Sequence, residues 1–146
     1  MDTWAVIMLV AGWLFAGGAA TIGWTRSGAW MEMKTQEFLP DFARTIRIAD
    51  RLQPALLLIT IVSTAAVVLT TQSTTRAISA AGGAGFVATL IASVVVLVPL
   101  QRRIISTSPD RSDDIAAMRR AWIRGHRGRS ILSVASLVLV AVASIV

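Results

Sequence analysis

The chain has 146 residues, 55% of them hydrophobic and only 15% charged, with a formal net charge of +6. That is too apolar for an ordinary soluble domain of this size, and the length is natural for one domain covering residues 1–146. There is no cysteine, so disulfides, thiol nucleophiles and thiolate metal sites are excluded.

The apolar residues come in blocks. Residues 3–25, 52–75, 77–101 and 130–146 contain no charged side chain. Crossing a bilayer takes about 20 apolar residues, with about 17 as the lower limit. Four spans are therefore predicted, at about residues 4–24, 53–70, 77–100 and 130–146. The expected fold is all-α, an integral membrane four-helix bundle, because helices satisfy their own backbone polar groups in lipid. The first block follows Asp2 and no basic segment, so it is expected to be a retained span and not a leader.

The charges set the expected orientation. Arg26, Lys34, Arg44, Arg47 and Arg51 lie between spans one and two, and only Arg76 between spans two and three. Eight arginines, from Arg102 to Arg129, lie between spans three and four. The positive-inside rule places both long connections in the cytoplasm and both termini on the non-cytoplasmic side of the cell membrane. The basic excess reads as topology and contact with anionic headgroups, and nucleic acid is not an expected partner.

In chain order, Trp4 and Trp24 bracket span one as interfacial anchors. Gly12, Ala16 and Ala20 give it a small face for close helix approach. Trp30, Met31 and Met33, among Glu32, Lys34 and Glu37, suit an interfacial segment. Pro40 is placed as a first-turn proline, with Asp41 favouring a helix N-terminus. Phe42, Ile46, Ala49 and Gln53 then share one face of a helix that runs into span two, with Pro54 at the boundary as a kink or a start. Thr60, Ser63 and Thr64 can bond back to their helix or across it. The small residues from Ala80 to Gly85 in span three are expected to face the glycines of span one. After a turn at 106–109, Asp110 or Ser112 caps a last helix with Asp113 and Asp114 in its first turn. That helix carries Met118, Trp122, His126 and Arg129 on one stripe into span four.

The spans hold no ionisable residue, which weighs against a proton-coupled transporter or a charged pore. A site is expected at the cytoplasmic mouth of the bundle, where almost all ionisable side chains collect. Candidates are His126, Arg129, Trp122, Glu32, Glu37, Asp41 and Asp50. His126 suits a general base, Arg129 an oxyanion or phenolate partner, and Trp122 a stacking surface. Glu37 or Asp50 could orient the imidazole if the first connection folds over the last helix. Blander roles stand beside these: His126 and Trp122 as interfacial residues, the arginines as topology signals, and the acids in exposed pairs worth about 0–1 kcal/mol. No metal-ligand spacing, phosphate loop or nucleophile elbow is present, so no metal or cofactor is expected.

Three stretches carry a resemblance. They are Trp122-x-x-x-His126-x-x-Arg129, then Val98-Pro99-Leu100-Gln101, and Phe38 and Phe42 followed by Arg51-Leu-Gln-Pro54. Together they resemble the anthrone oxygenase-like family of small four-helix membrane proteins, mostly of unassigned function, over nearly the whole chain. The family has Asn where this chain has Gln101. Some members are implicated in oxidising an anthrone to an anthraquinone, chemistry that requires a base to form an enolate and access to dioxygen. The resemblance implies His126 as base and Arg129 as oxyanion partner, with Trp122, Pro99, Gln101 and Glu37 around a lipophilic aromatic substrate. An oxygenase-type enzyme should then have a cavity of a few hundred Å3 near His126, lined by Trp122, Arg129 and Pro99. The alternative is a non-enzymatic scaffold or accessory subunit. It would pack through its Gly/Ala faces on another membrane protein or a second copy, with His126 toward the headgroups.

Overall fold

The computed structural model describes residues 3–145, Ser73 by its backbone alone. Asp2 and Val146, the last residue of the fourth expected span, lie outside. The described residues form four long helices: α1 (Thr3–Glu32), α2 (Thr35–Thr70), α3 (Thr74–Ser106) and α4 (Ser112–Ala143). Each is long and apolar enough to cross a membrane. α1 packs on α2 and α4, and α3 packs on the same two, so α1 and α3 stand diagonally in a four-helix ring. The short connections make neighbours antiparallel. The α1–α2 and α3–α4 connections therefore share one end of the bundle, which is the basic end.

All four helices run past the predicted spans at that end. The 36 residues of α2 rise about 54 Å, far more than the hydrocarbon layer of about 30 Å. The first connection is correspondingly short, and two expectations there are corrected. The helix expected to begin near Pro40 begins at Thr35. The Lys34 carbonyl accepts from the Glu37 and Phe38 backbone N–H at 3.1 and 2.9 Å, while the Glu37 carboxylate accepts the Lys34 N–H at 3.3 Å. That cap starts the helix early enough to leave Pro40 inside it, with the residue exposed. The expected interfacial segment continues α1 as helix Ser27–Glu32, with Trp30 fully buried.

Two cores result. Met8, Phe15, Leu57, Phe86 and Val140 fill the middle of the bundle. Trp30, Phe38, Phe42, Ile104, Ile115 and Trp122 fill the extended basic end. The small residues of α3 do not face α1 as expected, because α1 is diagonal to them. A Cβ on Gly82 would come within 2.9 Å of the Ser136 carbonyl of α4, one on Gly85 would strike the Ser136 side chain, and one on Gly83 would lie 3.0 Å from Thr64 of α2. Gly12 of α1 stands against Leu137 in the same way, at 3.0 Å. These glycine faces are occupied by the chain's own helices. Thr60 and Thr64 bond back to Leu56 and Thr60 carbonyls at 2.8 and 2.7 Å, which satisfies both hydroxyls within their own helix.

Each of α1 and α3 contains one widened π turn, at Thr21–Arg26 and Ser93–Leu97. Such a turn interrupts the helix ladder and leaves backbone acceptors available to neighbours. Both lie where the mid-bundle core gives way to the aromatic one.

Candidate functional site

His126 is buried on α4, facing α1. Its Nε2 lies 3.0 Å from the Ala19 carbonyl oxygen. A carbonyl only accepts, so Nε2 carries the proton and Nδ1 keeps a free lone pair. The Ala19 carbonyl, just before the π turn, also accepts from Ser130 Oγ at 3.3 Å. Within that turn, the Gly23 carbonyl accepts from Arg127 Nε at 2.8 Å. Gly23 packs against α4 here: a Cβ on it would make ordinary contact with the imidazole and with Ser130 Oγ, each at 3.4 Å.

Trp122 lies flat on His126, with ring centroids 4.6 Å apart and an interplanar angle of 16°. It is only 2% exposed and meets Phe42 and Trp30 edge-on at 5.0 and 5.8 Å. It is part of the packed interior and not an interface anchor. Its indole N–H is buried without a hydrogen-bond partner.

Arg129 is held as a fork. One terminal nitrogen donates to Ser93 Oγ at 2.6 Å and the other to Gln53 Oε1 at 3.2 Å. The guanidinium also stands 5.7 Å over the Phe15 ring, and its Nε has no protein partner. Gln101, 8% exposed, donates through Nε2 to Asp50 Oδ2 at 2.9 Å.

These groups line one cavity of about 110 Å3. Phe15 and Ile22 of α1, Asp50 and Gln53 of α2, Ser93 and Gln101 of α3, and Trp122, His126 and Arg129 of α4 all reach it. It is smaller than the few hundred Å3 expected. His126, Arg129, Trp122 and Gln101 are thus brought together, whereas Pro99 and Glu37 are not among the lining residues. Pro99 is exposed on α3, and Glu37 caps α2. Glu32 is exposed. Asp41 pairs with Arg26 and accepts the Trp30 indole N–H at 2.6 Å. The imidazole is oriented by a backbone carbonyl and by neither proposed carboxylate. Ala19, Phe15 and Ser93 carried no signal of a role in the sequence. Gln53 did, as the polar end of the stripe from Phe42. Among the described residues, no three His, Asp or Glu side chains converge as a metal site would require.

A family model described as anthrone oxygenase matches residues 42–139. The chain belongs to the anthrone oxygenase family. The matched stretch contains the cavity residues of α2, α3 and α4, including Gln53, Ser93, Gln101, Trp122, His126 and Arg129. The α1 wall, with the Ala19 carbonyl, precedes it. No curated protein and no solved structure matches the chain.

Proposed function

We propose that this member of the anthrone oxygenase family is an oxygenase-type oxidoreductase acting on a lipophilic aromatic substrate at the basic end of the bundle. One observation carries the reading. A small apolar cavity brings together an imidazole whose Nε2 is committed to Ala19 and a guanidinium fixed by Ser93 and Gln53. His126 Nδ1 is then the base that removes the acidic proton of a phenol hydroxyl, or of the ring methylene in its keto form, and either loss gives the same enolate. Arg129 stabilises the enolate oxygen that forms. The enolate gives its electron pair to dioxygen, forming a carbon hydroperoxide. Cleavage of its O–O bond with loss of water leaves a new carbonyl, so a methylene and O2 become a ketone and H2O. The indole of Trp122 holds the imidazole plane, and Gln101 with Asp50 borders the mouth. The site lies on the cytoplasmic side of the cell membrane in this reading.

The test is oxygen uptake by protein in liposomes. The panel of lipophilic aromatics runs from a one-ring alkyl hydroquinone to three-ring anthrone. Wild type is expected to consume oxygen with at least one of them. His126→Ala is expected to lose about 10²–10⁴-fold in rate while keeping its helical circular dichroism. Absence of uptake by wild type across the panel would sink the enzyme reading, as would full activity in His126→Ala.

A further inference from the structure

The size and the mouth of the cavity bear on which aromatic it takes. An apolar cavity of roughly 150 Å3 accommodates one benzene ring. The cavity here measures about 110 Å3, so it holds one ring at most, with part of that ring in the mouth, and three fused rings exceed it. The residues lining it differ sharply in exposure. Phe15, Leu57, Trp122 and His126 are buried, while the exposed ones are Asp50 and Pro54 of α2 and Val94 of α3. The cavity therefore opens sideways, through the gap between α2 and α3, and not along the bundle axis.

The surface beside the mouth changes character along the helices. One turn toward the apolar half, Leu58 and Ile91 are 50% and 56% exposed. One turn the other way stand Asp50, Arg47 and Arg102, all exposed. The mouth thus sits at the border of the apolar spans and their polar extension. The π turn Ser93–Leu97 places Ser93 inward on Arg129 and Val94 outward on the rim, 59% exposed.

We infer that the occupant of this cavity is a single-ring phenol or hydroquinone bearing an alkyl tail, taken sideways from the bilayer between α2 and α3. This rests on the reading of the cavity as the substrate site. The ring packs on Phe15 and Leu57. The hydroxyl faces the Arg129 fork, where the oxygen of a phenol accepts a charge-assisted hydrogen bond. The tail leaves past Pro54 and Val94 and lies along Leu58 and Ile91 in lipid. Polar groups at the inner end and an apolar exit select an amphipathic molecule at headgroup depth.

The experiment is equilibrium binding to the full chain in phosphatidylcholine nanodiscs, with 4-decylphenol, decylbenzene and anthrone as probes. One 4-decylphenol per chain is expected, with decylbenzene and anthrone each at least tenfold weaker. Val94→Trp and Ala49→Trp, which narrow the mouth from its two walls, should each weaken 4-decylphenol at least tenfold. Val95→Trp, equally bulky but off the lining, should change it less than twofold. Anthrone binding as tightly as 4-decylphenol overturns the single-ring assignment and leaves the enzyme reading standing. Tight 4-decylphenol binding with no oxygen uptake from any aromatic keeps the assignment and removes the enzyme reading. Equal effects of Val94→Trp and Val95→Trp overturn the lateral mouth, and decylbenzene binding as well as 4-decylphenol overturns the role of the hydroxyl.

Discussion

Half-buried Arg129 and buried Trp122 differ in how their polar groups are satisfied. Arg129 uses two guanidinium nitrogens on two helices, Ser93 of α3 and Gln53 of α2. Lysine keeps the charge but not the planar fork, so Arg129→Lys is expected to slow oxygen uptake at least tenfold in the liposome assay. Trp122 is the contrasting case, because its indole N–H makes no hydrogen bond. A buried unmade donor costs about 1–3 kcal/mol, which offsets much of the ring area lost on going to phenylalanine. Trp122→Phe is therefore expected to stay within about 1 kcal/mol of wild type. Trp122→Ala should lose about 3–5 kcal/mol. Unfolding titrations in mixed detergent micelles measure both, and a large loss in Trp122→Phe would show that the N–H is satisfied after all. The WxxxHxxR stripe was legible at this scale, since spacings of four and three put its residues on one face. The carbonyl that orients His126 was not, because a main-chain acceptor has no residue identity to read.

Among the helices, close approach at glycine decides the packing. Gly82 and Gly85 sit against Ser136 of α4, and the backbone carbonyl there cannot move aside cheaply. Gly82→Val and Gly85→Val are each expected to destabilise the bundle by about 1–3 kcal/mol or more through overpacking. Gly17→Ala, with open space around it, should be neutral or slightly stabilising, since alanine is the better helix former. Midpoints of unfolding in sodium dodecyl sulfate would separate the two classes, and equal midpoints for Gly85→Val and Gly17→Ala would contradict this packing. The small-residue pattern showed that these helices approach closely. It did not show which neighbour they meet, because a small face is the same whichever helix fills it. The π turns escaped notice for a related reason. Thr21–Arg26 and Ser93–Leu97 carry no residue that marks a π turn, and both turns touch α4.

For the molecule as a whole, the charge asymmetry yields the orientation proposed above, with the basic end in the cytoplasm. The chain has no cysteine, so single cysteines report position cleanly. Gln72→Cys, between α2 and α3, is expected to react with a membrane-impermeant maleimide on intact cells. Ser108→Cys, between α3 and α4, is expected to react only after permeabilisation. The reverse pattern would invert the topology and move the site to the other face.

Four apolar helices and their antiparallel order were determined by the sequence alone. Whether a segment is apolar and long enough to cross depends on its own transfer free energy, which is a sum over its residues. The stripe bearing His126 and Arg129 was likewise local. Only the tertiary structure decided that α1 supplies the Ala19 carbonyl, that Gln53 and Ser93 hold Arg129, and that Pro99 and Glu37 stay off the cavity. It also decided a volume near 110 Å3 with a mouth between α2 and α3. A cavity is the small space left when large packed volumes meet, and no residue or spacing along a single helix encodes that remainder.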